Sequence, residues 1–231
     1  GSFFEEWDQA LHVVKPFSIP DGWLMGFGID YGLHDPFCWL EGALDLRESP
    51  TLYITNEYYE AEVTPQENAR EVVRRLKGRN YDVRCIGKDV KRRVPQLDEE
   101  EESEVQILDL LEAGGLEDLQ MANDNRVQGW AAIAQLLHWE GHVERPTLMP
   151  KLKIFNNCKN LIRTLPSLIK DDKHPEDIDR NAEDHAADAL RYLVMSFYRY
   201  FEGKERQRNI ILKRKQTAYS IPQSAERGYL I

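Results

Sequence analysis

Three short apolar runs joined by brief polar links limit what this chain can fold into. The first is Trp23-Leu24-Met25-Gly26-Phe27-Gly28-Ile29, which leads into Asp30-Tyr31-Gly32 with Asp35-Pro36 close behind. The second runs from Phe37 to Leu44, and the third is Leu52-Tyr53-Ile54-Thr55-Asn56-Glu57-Tyr58-Tyr59. A continuous short apolar run suits a buried strand, and β-branched and aromatic residues suit a pleated surface. Links this short favour hairpins, so the three runs predict an antiparallel meander. Thr64-Pro65-Gln66-Glu67 then reads as a helix start, with Thr64 capping, Pro65 in the first turn and Glu67 completing a capping box. Ala69, Val72, Val73 and Leu76 give that helix its apolar stripe, and Gly78 ends it. A fourth strand is expected over Tyr81-Asp82-Val83-Arg84-Cys85-Ile86-Gly87, followed at once by Lys88-Asp89 and by Lys91, Arg92 and Arg93.

The second half reads as mostly helical. The acidic block Asp98-Glu99-Glu100-Glu101-Glu102-Ser103-Glu104 is expected to be a solvated helix start, with Val105, Ile107, Leu108 and Leu111 following at helical spacing. Trp130, Ile133, Ala134 and Leu137 line one face of a helix from Val127 to His138. Thr147 to Pro150 is a short strand candidate, and Leu152, Ile154 and Phe155 alternate with Lys151 and Lys153. A helix is expected from Asn156 to Leu165, and residues 171–179 read as a polar loop. Residues 179–200 predict a long helix, with Ala182, Ala186, Ala189, Leu193 and Phe197 as one stripe. Asp184 and Asp188 stack one turn apart beside His185. Like charges at that spacing repel, and a bound cation would reverse the sign.

Composition narrows the chemistry. No run of about 18 apolar residues exists, which excludes a membrane-spanning helix. Three cysteines, Cys38, Cys85 and Cys158, are widely spaced and odd in number, against a disulfide framework or a cysteine zinc site. The net charge of −10 leaves any nucleic-acid role to local basic patches or metal ions. Two strands end in acid, at Asp30 and Asp89, and the late helix carries Asp188. Three carboxylates converging with no arginine in reach could not all ionise cheaply, whereas Mg2+ or Mn2+ suits hard oxygen donors.

The order of three antiparallel strands, helix, parallel strand and further helices resembles the ribonuclease-H-like fold, an α/β fold with a mixed sheet flanked by helices. Within it, the chain is most similar to the nuclease domain of the large terminase subunit of tailed bacteriophages. The residues carrying the likeness are Gly28-Ile29-Asp30-Tyr31-Gly32 with Asp35-Pro36, Ile86-Gly87-Lys88-Asp89, and above all Glu183-Asp184-His185-Ala186-Ala187-Asp188-Ala189-Leu190-Arg191-Tyr192. The segment from Asn125 to Leu137 adds to it. The resemblance spans about residues 23–200. It implies an endonuclease that cuts concatemeric double-stranded viral DNA during genome packaging, through two Mg2+ or Mn2+ ions held by Asp30, Asp89 and Asp188. Asp184 and His185 are secondary metal or outer-shell candidates, and Lys88, Lys91, Arg92, Lys151 and Lys153 are candidate DNA contacts. It also implies an upstream ATPase domain, portal and small-subunit partners, and the host cytoplasm. No Gly-x-x-x-x-Gly-Lys-Ser/Thr loop occurs, so no ATPase is expected in this chain, and the Gly1-Ser2 start suggests an excised C-terminal domain. The expected layout is a linker or N-terminal extension over 1–22, the nuclease domain over 23–201 and a basic tail over 202–231. Two alternatives stand beside it: another ribonuclease-H-like enzyme such as a resolvase or integrase core, and a non-catalytic docking module of a packaging motor.

Overall fold

The computed structural model describes residues 1–32, 35–97 and 102–219. Asp8 accepts a hydrogen bond from the Ala10 amide and so caps a short helix, α1 (Gln9–His12), which leads into strand β1 (Val13–Val14). The meander follows as β2 (Leu24–Asp30), β3 (Phe37–Asp45) and β4 (Thr51–Glu60). Helix α2 (Pro65–Leu76) starts on the Thr64–Glu67 capping box and ends with Lys77 and Gly78 at φ 51° and 67°. Next come β5 (Val83–Ile86), a single turn of 3-10 helix over Lys88–Lys91, and a hairpin of β6 (Arg93–Leu97) with β7 (Glu102–Gln106). The remaining elements are α3 (Ile107–Ala113), β8 (Gln120–Met121), α4 (Arg126–Leu137), β9 (Glu140–His142), β10 (Arg145–Leu148), β11 (Leu152–Phe155), α5 (Lys159–Thr164) and α6 (His185–Tyr219).

Among the described residues, seven strands form the main sheet in the order β1-β11-β4-β3-β2-β5-β8. Pairing is antiparallel for β2 with β3 and β3 with β4, and parallel at every other step. Both faces are covered. On one side Leu40, Leu44, Ile54, Leu193 and Phe197 are fully buried with α4, α5 and α6. On the other, Phe27, Ile29, Trp39, Val72 and Leu111 are buried under α2 and α3. Burial of Leu193 and Phe197 stabilises the α6 contact by roughly 1.5–3 kcal/mol each. Glycines let α6 come this close: a Cβ at Gly28 would stand 2.4 Å from the Ala189 carbonyl oxygen, and one at Gly26 would stand 2.6 Å from the Phe197 ring. Ala189 meets that groove from the helix side, and Ala186 and Ala187 beside it are buried as well.

Several expectations change. Of the two readings for the N-terminal segment, linker or N-terminal extension, residues 2–14 fit the second: Phe4 is buried against Trp130, Leu11 is buried, and β1 extends the sheet edge beside β11. The acidic stretch is no helix start over 102–106, because those residues pair with Arg93–Leu97 as β7 and the helix begins only at Ile107. Residues 98–101 and His34 lie outside the described residues. The long helix begins at His185 and not at 179, since Asp179 turns the chain by accepting the amides of Asn181 and Ala182. Helix α6 runs on to Tyr219, so residues 202–219 of the expected tail continue it; residues 220–231 are outside the described set. Among the described residues, no helix is long and apolar enough to cross a membrane.

Candidate active site

The site lies at the end of β2, where the strand passes from the buried sheet into the turn at Tyr31 and Gly32. Asp30 is the last residue of that strand, held opposite Cys38 of β3, and is only 8% exposed. Asp188 sits in the first turn of α6 and is equally buried. Asp184 immediately precedes that helix, and its carbonyl oxygen accepts the Asp188 amide at 2.7 Å. Asp89 follows β5 on the exposed 3-10 turn. These four aspartates, with Asp35 and Asp124, line one cleft of about 370 Å3. His185 closes it, with Nδ1 3.0 Å from Asp30 Oδ2. An ionised Asp30 can only accept there, which places a proton on Nδ1.

The arginines were not legible as partners. Arg191 is 2% exposed; its Nε and Nη2 each lie 2.8 Å from Asp188 Oδ1, and its guanidinium stacks on Trp130 and Tyr192. Gly129 on α4 makes room for its stem, since a Cβ there would stand 2.4 Å from Arg191 Cγ. Arg126 donates from Nε to both oxygens of Asp177 at 3.1 Å, from Nη1 to Asp188 at 3.2 Å and from Nη2 to Asp184 at 3.4 Å. The expectation of carboxylates without arginine partners is therefore corrected. The Asp188–Arg191 pair had a sequence signal in its three-residue helical spacing. Arg126 and Asp177 had none, because Asp177 is one acid among several in a polar loop and its role depends on a contact 51 residues away.

Charge in the cleft is still unbalanced. Among the described residues, six lining carboxylates face three permanent cations, Lys88, Arg126 and Arg191. Burial, with the like charges of Asp188 and Asp184, pushes the Asp30 carboxyl up to about 6 against the hydrogen bond from His185. Burial and the Asp188 charge also raise Asp184. The hydrogen bond to Asp30 raises His185. Among the described residues, no three His, Cys, Asp or Glu side chains stand in an arrangement that could hold a metal ion. The donor set is nonetheless of the kind a hard divalent cation takes: carboxylates from three chain segments line one cleft, and burial leaves the Asp30 charge poorly solvated.

The basic candidates separate. Lys88 lines the cleft and pairs with Asp124. Lys91 and Arg92, at the end of the same turn, are exposed and outside the cleft walls. Lys151 lines a different groove, beside Tyr198 and Phe201. Lys153 is removed as a DNA contact: it is 7% exposed, donates to the Leu11 carbonyl at 2.5 Å, and burial lowers its pKa. A larger cavity, about 810 Å3, lies at the opposite end of β2 around Met25 and Glu41. There the buried Glu41 already accepts from Thr55 and Tyr81 at 2.6 Å each.

The sheet order is that of a ribonuclease-H-like α/β fold, and a carboxylate-lined cleft lies at the strand ends. More particularly, the fold is that of phage large-terminase nuclease domains. The P22 large terminase nuclease domain matches 85% of this chain and 92% of its own, at 18% identity and TM-score 0.64. The large terminase of thermophilic bacteriophage D6E, solved in complex with ADP, matches 84% of this chain at 19% identity and TM-score 0.63. This chain spans 44% of that protein, less than half its length. The large terminase nuclease of thermophilic phage G20c, solved with bound cobalt, matches 84% of this chain and 96% of its own, at 12% identity and TM-score 0.50. No protein-family model and no curated protein matches the sequence.

Proposed function

We propose that this domain is a divalent-metal-dependent endonuclease that hydrolyses double-stranded DNA during phage genome packaging. The observation carrying the proposal is the gathering of Asp30, Asp89, Asp184 and Asp188 from three segments into one cleft, with Asp30 buried and short of counter-charge. The fold it shares with the G20c nuclease, which has been solved with cobalt, supports a metal. Asp30, Asp89 and Asp188 would hold two Mg2+ or Mn2+ ions, with Asp184 the next available oxygen ligand. When bound, such ions supply an activated water and stabilise the leaving oxygen of an in-line displacement.

The chain's own groups do the rest. Strand β2 and helix α6, locked together at Gly28, fix Asp30 against Asp188. Arg191 holds the Asp188 carboxylate through Oδ1 and leaves Oδ2 toward Arg126. His185 orients Asp30 and can keep a proton on Nδ1 while doing so. Lys88, exposed at the mouth, can leave Asp124 for a DNA phosphate. The acidic chain would bind DNA weakly by itself, and an ATPase domain, the portal and the small subunit are the proposed source of recruitment. A plasmid assay tests this reading. Supercoiled DNA is expected to be nicked and linearised with Mg2+ or Mn2+ and to stay intact with chelator. Asp30→Asn and Asp188→Asn, folded by circular dichroism, should each lose at least about 100-fold in rate, as expected when a metal ligand is removed. Cleavage unaffected by chelator and by both substitutions would overturn the reading.

A further inference from the structure

Arg126 is the first residue of α4, where the helix dipole disfavours a cation. It is held there by three carboxylates from three places: Asp177 in the loop, Asp184 before α6, and Asp188 inside α6. The contacts are unequal. At the Nε end, the anchor Asp177 is itself fixed by the Trp130 indole N–H at 2.7 Å and the Ile178 amide at 2.8 Å. At the far end, Nη1 and Nη2 reach Asp188 at 3.2 Å and Asp184 at 3.4 Å, two residues that line the cleft as Asp177 does not. The ring of Trp130 lies under the guanidinium at 5.2 Å.

From this asymmetry we infer that Arg126 is a resident counter-cation that stands in for metal in the ion-free domain and yields Asp184 and Asp188 when an ion binds. This inference rests on the metal-nuclease reading. With the ion absent, the far nitrogens neutralise the Asp184–Asp188 stack. With the ion present, Arg126 keeps its Asp177 bond and its Trp130 platform and surrenders the two cleft-side contacts. Arg126 is thus a positioning residue that sets metal affinity and keeps the acidic end of α6 folded between metal-binding events.

The test compares Mn2+ binding by calorimetry and thermal melting, with and without Mn2+, in wild type, Arg126→Gln, Arg126→Lys and Asp188→Asn. A merely structural arginine would weaken both folding and metal binding when removed. A competitor moves them in opposite directions. Arg126→Gln is expected to melt lower than wild type without metal and yet to bind Mn2+ roughly tenfold more tightly, the scale of one charge-assisted contact released at a half-exposed site. Arg126→Lys keeps the charge without the fork and should fall between the two, which preserves the test if the glutamine variant is poorly folded. Mn2+ binding that is present in wild type, lost in Asp188→Asn and unchanged or weaker in both Arg126 variants overturns the inference alone. Mn2+ binding absent from every protein overturns it together with the nuclease reading.

Discussion

Replacing Asp30 by Asn separates the stability of this domain from its chemistry. The folded structure raises the Asp30 carboxyl from 3.8 to about 6. The folded state therefore holds that proton more tightly than the unfolded chain, and stability falls as pH rises from about 4 to about 6 and stays level above it. At about 1.4 kcal/mol per pH unit, the ionised group costs the metal-free fold about 3 kcal/mol at pH 7.5. Asparagine has nearly the same shape and can still accept from His185 Nδ1, so the substitution removes the charge and keeps the contact. In chelator at pH 7.5, Asp30→Asn should melt above wild type by up to roughly 6–12 °C, at about 2–4 °C per kcal/mol for a domain of this size. At pH 4.5 the gain should shrink to about a third, because the unfolded carboxyl is by then mostly ionised and the folded one is not. Adding Mn2+ should raise wild type and leave the variant nearly unmoved, while the variant loses cleavage. Differential scanning calorimetry over pH 4.5–8 measures each of these. A variant that melts below wild type at pH 7.5, or a gain that ignores pH, would refute the argument that Asp30 is a buried charge awaiting a cation.

Other expectations follow from single contacts. Gly28→Ala places a methyl group 2.4 Å from the Ala189 carbonyl oxygen, so α6 must lift; urea unfolding should show a loss of roughly 1–3 kcal/mol, and cleavage should fall as Asp188 moves. Thr64→Ala removes the α2 cap and should cost about 1 kcal/mol in the same assay with no change in cleavage rate, because α2 covers the other sheet face. The Arg163 hydrogen bonds and charge hold Glu183 down at about 2, so this group contributes stability above its unfolded 4.5 that is lost as pH falls through about 2. The pair is half-exposed, so Glu183→Gln should lower stability at pH 7 by less than about 1 kcal/mol, with the difference vanishing in acid titration below pH 2.

Features written locally in the chain were readable from it. The β2–β4 meander and the Thr64–Glu67 box rest on residues near in sequence, and they stand where the spacing places them. What escaped depends on distant partners. Strand β1 is two residues long and exists only because β11 pairs with it. Residues 102–106 are acidic enough for a helix start, yet their amides and carbonyls pair across the hairpin to Arg93–Leu97. Lys153 alternates like a surface residue but meets the α1 segment, which buries it. The cleft was half legible. Acidic residues after apolar strands and on the helix face drew attention to Asp30, Asp89 and Asp188, whereas the cations that balance them come from α4, through Arg126, and from the far side of the Asp188 turn, through Arg191. A strand-end aspartate has a period and a place in the chain; an arginine chosen by three separate loops and helices does not.

The most direct measurement is anomalous diffraction from crystals soaked in Mn2+. The account expects anomalous peaks in the 370 Å3 cleft, within ligand distance of Asp30 and Asp188, with the far nitrogens of Arg126 withdrawn from Asp184 and Asp188. A cleft without a peak at saturating Mn2+, with Arg126 still bridging the three carboxylates, would contradict it.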